Sequence, residues 1–286
     1  MIKTILVPAA GTLEESVLDT ALMAAETAGA HVDLLYFRGD LVKAIESKPY
    51  LEFAFGGAIS PALAALDMES EQQSATARSA FASLCERRGV ALRDEPAAPA
   101  GVTAAWREER GAPGGLAFHA RHCDLVVMGR PGPAGTFATG DIEAVLFGSG
   151  RPLLVAPALA RPSMRGTAMV CWKETPQSAR AVSAALPLLR QAARVVVIHV
   201  EEGEADGAGA NEVVRQLARH GIEAQARSLA AQARATADVL ADAVDANEAD
   251  LIVLGAYGRS RVRERVFGGC TRAFLERAGV PVLMMH

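Results

Sequence analysis

The stretch that decides the fold is Asp250-Leu-Ile-Val-Leu254-Gly255-Ala-Tyr-Gly258, followed nine residues later by Gly268-Gly269-Cys270-Thr271. An apolar run with no polar alternation reads as a strand covered on both faces, the usual state of a parallel strand. It opens into a glycine-spaced loop that enters a helical segment. Glycines let the backbone come close to a ligand, successive amides converge on an anion, and a helix N-terminus adds partial positive charge. Arg259, Arg261, Arg263 and Arg265 lie in the same loop and add cations. The pattern predicts a cradle for a nucleotide phosphate.

Working outward, the chain repeats itself. Thr4-Ile-Leu-Val-Pro-Ala-Ala-Gly-Thr12 lies on Thr167-Ala-Met-Val-Cys-Trp-Lys-Glu-Thr175 without a gap. Asp124-Leu-Val-Val-Met-Gly129 lies on Asp250-Leu-Ile-Val-Leu-Gly255, and Arg151-Pro-Leu-Leu-Val155 on Val280-Pro-Val-Leu-Met284. Matching pieces in the same order indicate a tandem duplication. The joint falls near Ala158–Arg165, whose proline and small residues read as a linker, so the expected units are 1–158 and 166–286.

In the second unit, apolar runs near 167–172, 194–200, 224–228, 250–255 and 281–285 alternate with helical patterns near 177–191, 209–220, 232–247 and 269–278. Strands alternating with helices give a parallel sheet. Val182, Ala185, Leu186 and Leu189 share one helix face, as do Val239, Leu240, Ala243 and Val244. The expected fold class is α/β: two tandem doubly wound domains, each a five-stranded parallel sheet with helices on both faces. The first unit places its strands near 3–8, 31–37, 89–93, 124–129 and 152–157. The segment from Glu46 to Ser60, with Phe53, Phe55 and Gly56-Gly57, lacks periodicity and reads as a loop or lid.

Composition narrows the classes. With 286 residues, 50% hydrophobic, the chain can bury a large core, and a net charge of −4 without a basic block argues against nucleic acid. Cys85, Cys123, Cys171 and Cys270 are dispersed, without zinc-type spacing, as expected of reduced cytoplasmic thiols. No apolar stretch has the length of a signal peptide or membrane span. The expectation is a soluble, cytoplasmic protein.

The Gly255-x2-Gly258-x9-Gly268 spacing, inside a five-strand α/β unit and present in a duplicated chain, resembles the nucleotide motif of the universal stress protein family, in particular its tandem-domain members. The resemblance implies a HUP, adenine nucleotide alpha hydrolase-like fold, a stress-response role, ATP as ligand with or without magnesium, and self-association or another protein partner. It does not imply enzymatic turnover, and slow ATP hydrolysis stands as a minor alternative. Carried over by residue, Gly255 and Gly258 approach the ribose-phosphate, Arg259 is the best-placed arginine, and Gly268 opens the phosphate-facing helix. Where the family has Ser or Thr next, this chain has Gly269 and Cys270, with the hydroxyl of Thr271 arriving two residues late. The family's aspartate after the first strand is replaced by Ala10 in one unit and Lys173 in the other. Lysine cannot accept a hydrogen bond, although its ammonium can reach a phosphate. Val200, at the end of the second strand of its unit, matches the place of backbone contact with adenine.

In the first unit, Thr139-Gly140-Asp141-Ile142-Glu143 stands opposite Gly268–Arg272. A carboxylate at a helix N-terminus takes the place of a phosphate and repels one, so a single site is expected, in the second unit. His119 and His122 read as structural and not as metal ligands, and His199 as a hydrogen-bonded core histidine. Cys270, at a helix N-terminus, reads as a packed small residue before an oxidation sensor. Two functions from different classes follow: a nucleotide-responsive stress protein acting through ligand-dependent association, or a structural and interaction module whose site has decayed. No Gly-x-Gly-x-x-Gly follows the first strand of either unit, which disfavours a dinucleotide oxidoreductase. No pyrophosphate loop of an adenylate-forming ligase is present either.

Overall fold

The computed structural model describes residues 1–38, 59–94, 101–110, 115–131, 137–201, 208–256 and 269–286. The elements run β1 (Thr4–Ala9), α1 (Glu15–Ala28), β2 (His31–Arg38), α2 (Ile59–Arg87), β3 (Ala91–Leu92), β4 (Thr103–Arg110), α3 (Leu116–Ala120), β5 (Leu125–Met128), α4 (Thr139–Gly148) and β6 (Leu153–Val155) in the N-terminal half. The C-terminal half follows with β7 (Thr167–Trp172), α5 (Pro176–Leu189), β8 (Arg194–Glu201), α6 (Ala208–Arg219), β9 (Ala224–Ala230), α7 (Thr236–Ala246), β10 (Ala249–Gly255), α8 (Gly269–Arg277) and β11 (Val282–Met285).

The strands of the described residues join one sheet in the order β3-β4-β2-β1-β5-β6-β11-β10-β7-β8-β9. Every pairing is parallel except β6 with β11, where Val155, Leu154 and Leu153 face Val282, Leu283 and Met284. The two halves therefore meet last strand to last strand and point their carboxyl ends in opposite directions. Each half winds outward from its first strand and crosses back once, so strand order reverses between β1 and β5 and again between β7 and β10.

The helices bury the sheet from both sides, as the unalternating strands require. One core gathers Val17 and Leu22 of α1, Phe81 and Leu84 of α2, Val182 and Leu189 of α5, and Val213 and Leu217 of α6. The other gathers Leu116 of α3, Ile142 and Val145 of α4, Val239 and Leu240 of α7, and Phe274 and Leu275 of α8. Both cores run through both halves.

The duplicated residues do duplicated work. The Asp124 carboxylate accepts from the backbone N–H of Thr4 at 3.1 Å, and the Asp250 carboxylate from that of Thr167 at 2.9 Å. Each aspartate pins the first strand of its half to the start of a neighbouring strand. Gly29 ends α1 with φ +61°, a left-handed conformation that costs glycine little.

Strand and helix positions in the C-terminal half follow the sequence pattern closely. The N-terminal half differs at one place. The strand expected near 89–93 is only Ala91–Leu92, at the sheet edge, and the strand beside β2 is Thr103–Arg110. Its sequence, Thr-Ala-Ala-Trp-Arg-Glu-Glu-Arg, hides it: beyond Ala105 its far side has no neighbouring strand, so four charged residues stay exposed. The long α2 is fastened to β2 by Arg38, which is 6% exposed and bonds Glu71 at 3.1 Å and Asp67 at 3.0 Å, with Glu108 of β4 at 3.7 Å. The segment expected to form a lid lies outside the described residues except for Ile59 and Ser60, which begin α2.

Candidate functional site

In an open doubly wound sheet, ligands enter the crevice beyond the carboxyl ends of the strands where strand order reverses. In the C-terminal half that crevice lies between the end of β7, Cys171-Trp172-Lys173, and the end of β10, Leu254-Gly255-Ala256. The start of α5 borders it. Thr175 caps that helix, its hydroxyl oxygen accepting from the N–H of Ser178 at 3.2 Å, with Pro176 in the first turn.

Gly255 has a structural reason to lack a side chain. A Cβ there would stand 2.5 Å from the backbone nitrogen of Ser178 and 2.8 Å from the carbonyl carbon of Gln177. The first turn of α5 thus rests directly on the end of β10. Lys173 is exposed just beyond β7, and Val200 is 7% exposed near the end of β8. Gly269 begins α8 on the surface with open space where a Cβ would go. Cys270 is half-buried, and Thr271 is 3% exposed, so its hydroxyl does not face solvent. Gly258, Arg259 and Gly268, with Arg261, Arg263 and Arg265, lie outside the described residues.

Burial raises the pKa of three thiols. The Cys171 thiol is driven strongly upward by burial and by nearby Cys270, while burial pushes Cys85 and Cys123 up to about 11. All three are protonated near neutrality, and so are poor nucleophiles.

The equivalent crevice of the N-terminal half is filled. Glu14, at the start of α1, lays its carboxylate over Gly129, where a Cβ would meet Oε2 at 2.6 Å. Phe137, 5% exposed, packs beside it and leaves a shallow cleft among Val7, Thr12, Glu14 and Gly129. At the start of α4 the Asp141 carboxylate accepts from the Ala138 N–H at 2.9 Å. This carboxylate takes up an amide at the helix start that an anion would otherwise use.

The halves touch reciprocally near these ends. Arg130, after β5, donates to the carbonyl of Glu276 in the last turn of α8 at 3.0 Å, where a cation suits the helix C-terminus. His286 packs edge-on against Phe147 of α4, centroids 4.5 Å apart, and its Nδ1 lies 3.1 Å from the Ala256 carbonyl.

Several residues here carry no sequence signal. Glu14 and Gln177 occupy equivalent places in the duplication, yet neither belongs to a glycine or arginine pattern. Gln177 Oε1 and His199 Nε2 are shielded from solvent and have no hydrogen-bond partner. His199 is buried as expected, with Nδ1 at 3.3 Å from the Trp172 carbonyl, so only one of its nitrogens is satisfied. His119 finds an acid the sequence did not reveal: Glu109 of β4, at 2.8 Å. Among the described residues no group of three or more His, Cys, Asp or Glu side chains converges as metal ligands would, and no helix is long and apolar enough to cross a membrane.

The fold is a doubly wound α/β arrangement repeated in the two halves, with a reversal of strand order in each. The family model described as "Universal stress protein family" matches residues 164–286. The C-terminal half is thus similar to the universal stress protein family, and the whole chain shares the fold of solved proteins of that description. A universal stress protein from Archaeoglobus fulgidus DSM 4304 is similar over 99% of this chain and 95% of its own, with 14% identity and a TM-score of 0.64. A protein assigned to the universal stress proteins of Pseudomonas aeruginosa UCBPP-PA14 covers 99% and 93%, with 18% identity and a TM-score of 0.56. A functionally unknown protein from Pseudomonas aeruginosa PAO1 covers 99% and 92%, with 17% identity and a TM-score of 0.56. No curated protein matches the sequence.

Proposed function

We propose that this chain is a stress-response regulator built of two units, 1–158 and 166–286, in which the second binds an adenine nucleotide, ATP with or without magnesium. The observation that carries this reading is the placement of Gly255 at the end of β10, with Cys270 of α8 near Cys171 at the end of β7, around the switch point where a doubly wound sheet takes a ligand. The phosphates lie toward Gly269, with the Lys173 ammonium as a further cation. Adenine lies toward Val200. The first unit, closed by Glu14 and Phe137, serves as the structural partner that braces α8 through Arg130. Binding shifts the population of association-competent states, with a second copy or another protein as partner, and no chemical turnover is assigned. The site of action is the cytoplasm.

A second reading has a specific observation behind it. Packing against Gln177 and Ser178 accounts for the glycine at position 255 without any ligand, and Lys173 offers no acceptor. On that reading the chain is an interaction module whose site has decayed. Isothermal titration of ATP and magnesium into the full chain separates the two: saturable binding at one site per chain, weakened in Gly269→Asp, supports the nucleotide reading, and absence of binding supports the module.

A further inference from the structure

Two of the four cysteines stand together. Cys171 lies on β7 between Leu254 of β10 and Ile198 of β8, and is buried in the core that α7 and α8 cover. Cys270, in the first turn of α8, is half-buried and packs against the same core. The two thiols are near enough for charge on Cys270 to act on Cys171. The other two are apart: Cys85 belongs to the opposite core, and Cys123 lies in the N-terminal half, its thiol donating to the Ala120 carbonyl at 3.2 Å. The duplication has the pair together or not at all, since Pro8 stands opposite Cys171 and Asp141 opposite Cys270. We propose that Cys171 and Cys270 are a redox pair, which a peroxide converts to a disulfide joining the end of β7 to the start of α8. The proposal is independent of what the crevice binds.

Exposure sets the order of the steps. Of the four cysteines only Cys270 is not buried, so its sulfur meets the peroxide. It takes one oxygen as the O–O bond breaks, leaving Cys270 as a sulfenic acid and releasing water. Cys171 needs no access to solvent, because the oxidised sulfur packs against its own core. The Cys171 sulfur attacks the sulfenic sulfur, the S–S bond forms, the S–O bond breaks, and the thiol proton leaves with the hydroxyl as a second water. The two thiols together give up two electrons and two protons, and the peroxide is reduced to water. Burial keeps the Cys171 thiol protonated near neutrality, so this second step is the slower one and quickens as pH rises. A dithiol reductant reverses the bond by exchange.

The test treats the full chain with stoichiometric hydrogen peroxide, alkylates the remaining thiols under denaturing conditions and maps the peptides by mass without reduction. The expected result is loss of two of the four thiols, a peptide linking Cys171 to Cys270, retention of Cys85 and Cys123, and recovery of all thiols with dithiothreitol. In Cys171→Ala, dimedone traps a sulfenic acid at Cys270 that goes no further. In Cys270→Ala, Cys171 stays reduced. The same treatment of the parent in urea, where the fold no longer holds the pair together, gives no preference for that link. A link between other cysteines or between chains, an oxidised Cys270 in the folded parent beside a Cys171 still reduced, or no loss of thiols, overturns the proposal. Circular dichroism before oxidation shows whether each variant is folded, and the parent map decides the matter if one is not.

Discussion

Substituting Gly269 by aspartate separates ligand binding from folding at one position. Gly269 is the first residue of α8, is exposed, and has nothing within 4 Å of where a Cβ would stand. Sterically the side chain is tolerated. A carboxylate in the first turn of a helix also interacts favourably with the helix dipole, by about 0.3–1 kcal/mol. Stability is therefore expected to be unchanged or slightly raised. For a phosphate the effect is opposite. Two unit charges about 4 Å apart repel by roughly 1 kcal/mol in water and roughly 4 kcal/mol at the effective dielectric of a protein surface. That corresponds to an affinity loss of roughly fivefold to a thousandfold for each unit of phosphate charge at that distance, largest at low salt. Calorimetric titration with ATP and magnesium at two ionic strengths, paired with urea denaturation, reads both sides. Unchanged affinity with unchanged stability would refute the placement of phosphate at the start of α8. A large loss of stability would instead show that the α8 N-terminus is not open as described.

Other consequences follow from the packing. Gly255→Ala forces a Cβ to within 2.5 Å of the Ser178 backbone, so either β10 or α5 must move; a loss of about 1–3 kcal/mol is expected in urea denaturation, with or without ligand. Arg38→Met removes the cation shared by Asp67, Glu71 and Glu108 and leaves three acids facing one another; because those acids are partly exposed, about 1–3 kcal/mol is expected, with earlier proteolysis of α2 as the local readout. Cys85 and Cys123 ordinarily titrate near 9.0 and are pushed by burial to about 11 in the folded chain. Between those values the unfolded chain loses protons that the folded chain keeps, so their contribution is complete below about pH 9 and lost as pH rises through about 11. Denaturation midpoints measured from pH 8 to 11 should fall, and Cys85→Ala with Cys123→Ala should flatten the decline.

Much of this architecture is legible in the residues because both coverings of the sheet come from helices. Parallel strands buried on two faces are written as plain apolar runs, and β7, β8 and β10 are such runs. Thr175-Pro176 marks the start of α5 by capping chemistry that needs no tertiary context. The repeated Asp124 and Asp250 show why a duplication is readable: each pairs with the first strand of its own half, so the same residue is needed twice. β4 escapes for the converse reason. Beyond Ala105 it has a neighbouring strand on one side only, and its charged residues stay exposed, so its pattern is that of a loop.

The candidate site divides in the same way. The amino-acid sequence alone determines that a strand ends at Gly255, that a helix begins near Gly269, and that a cation stands at position 173, because these follow from local periodicity and side-chain identity. Only the tertiary structure decides that α5 presses against Gly255, that Glu14 and Phe137 close the first crevice, that Gln177 holds an oxygen without a donor, and that Arg130 and His286 tie the halves together. Those relations depend on which elements lie side by side after strand order reverses and the sheet joins β6 to β11, and contacts between residues distant in sequence leave no local period to read.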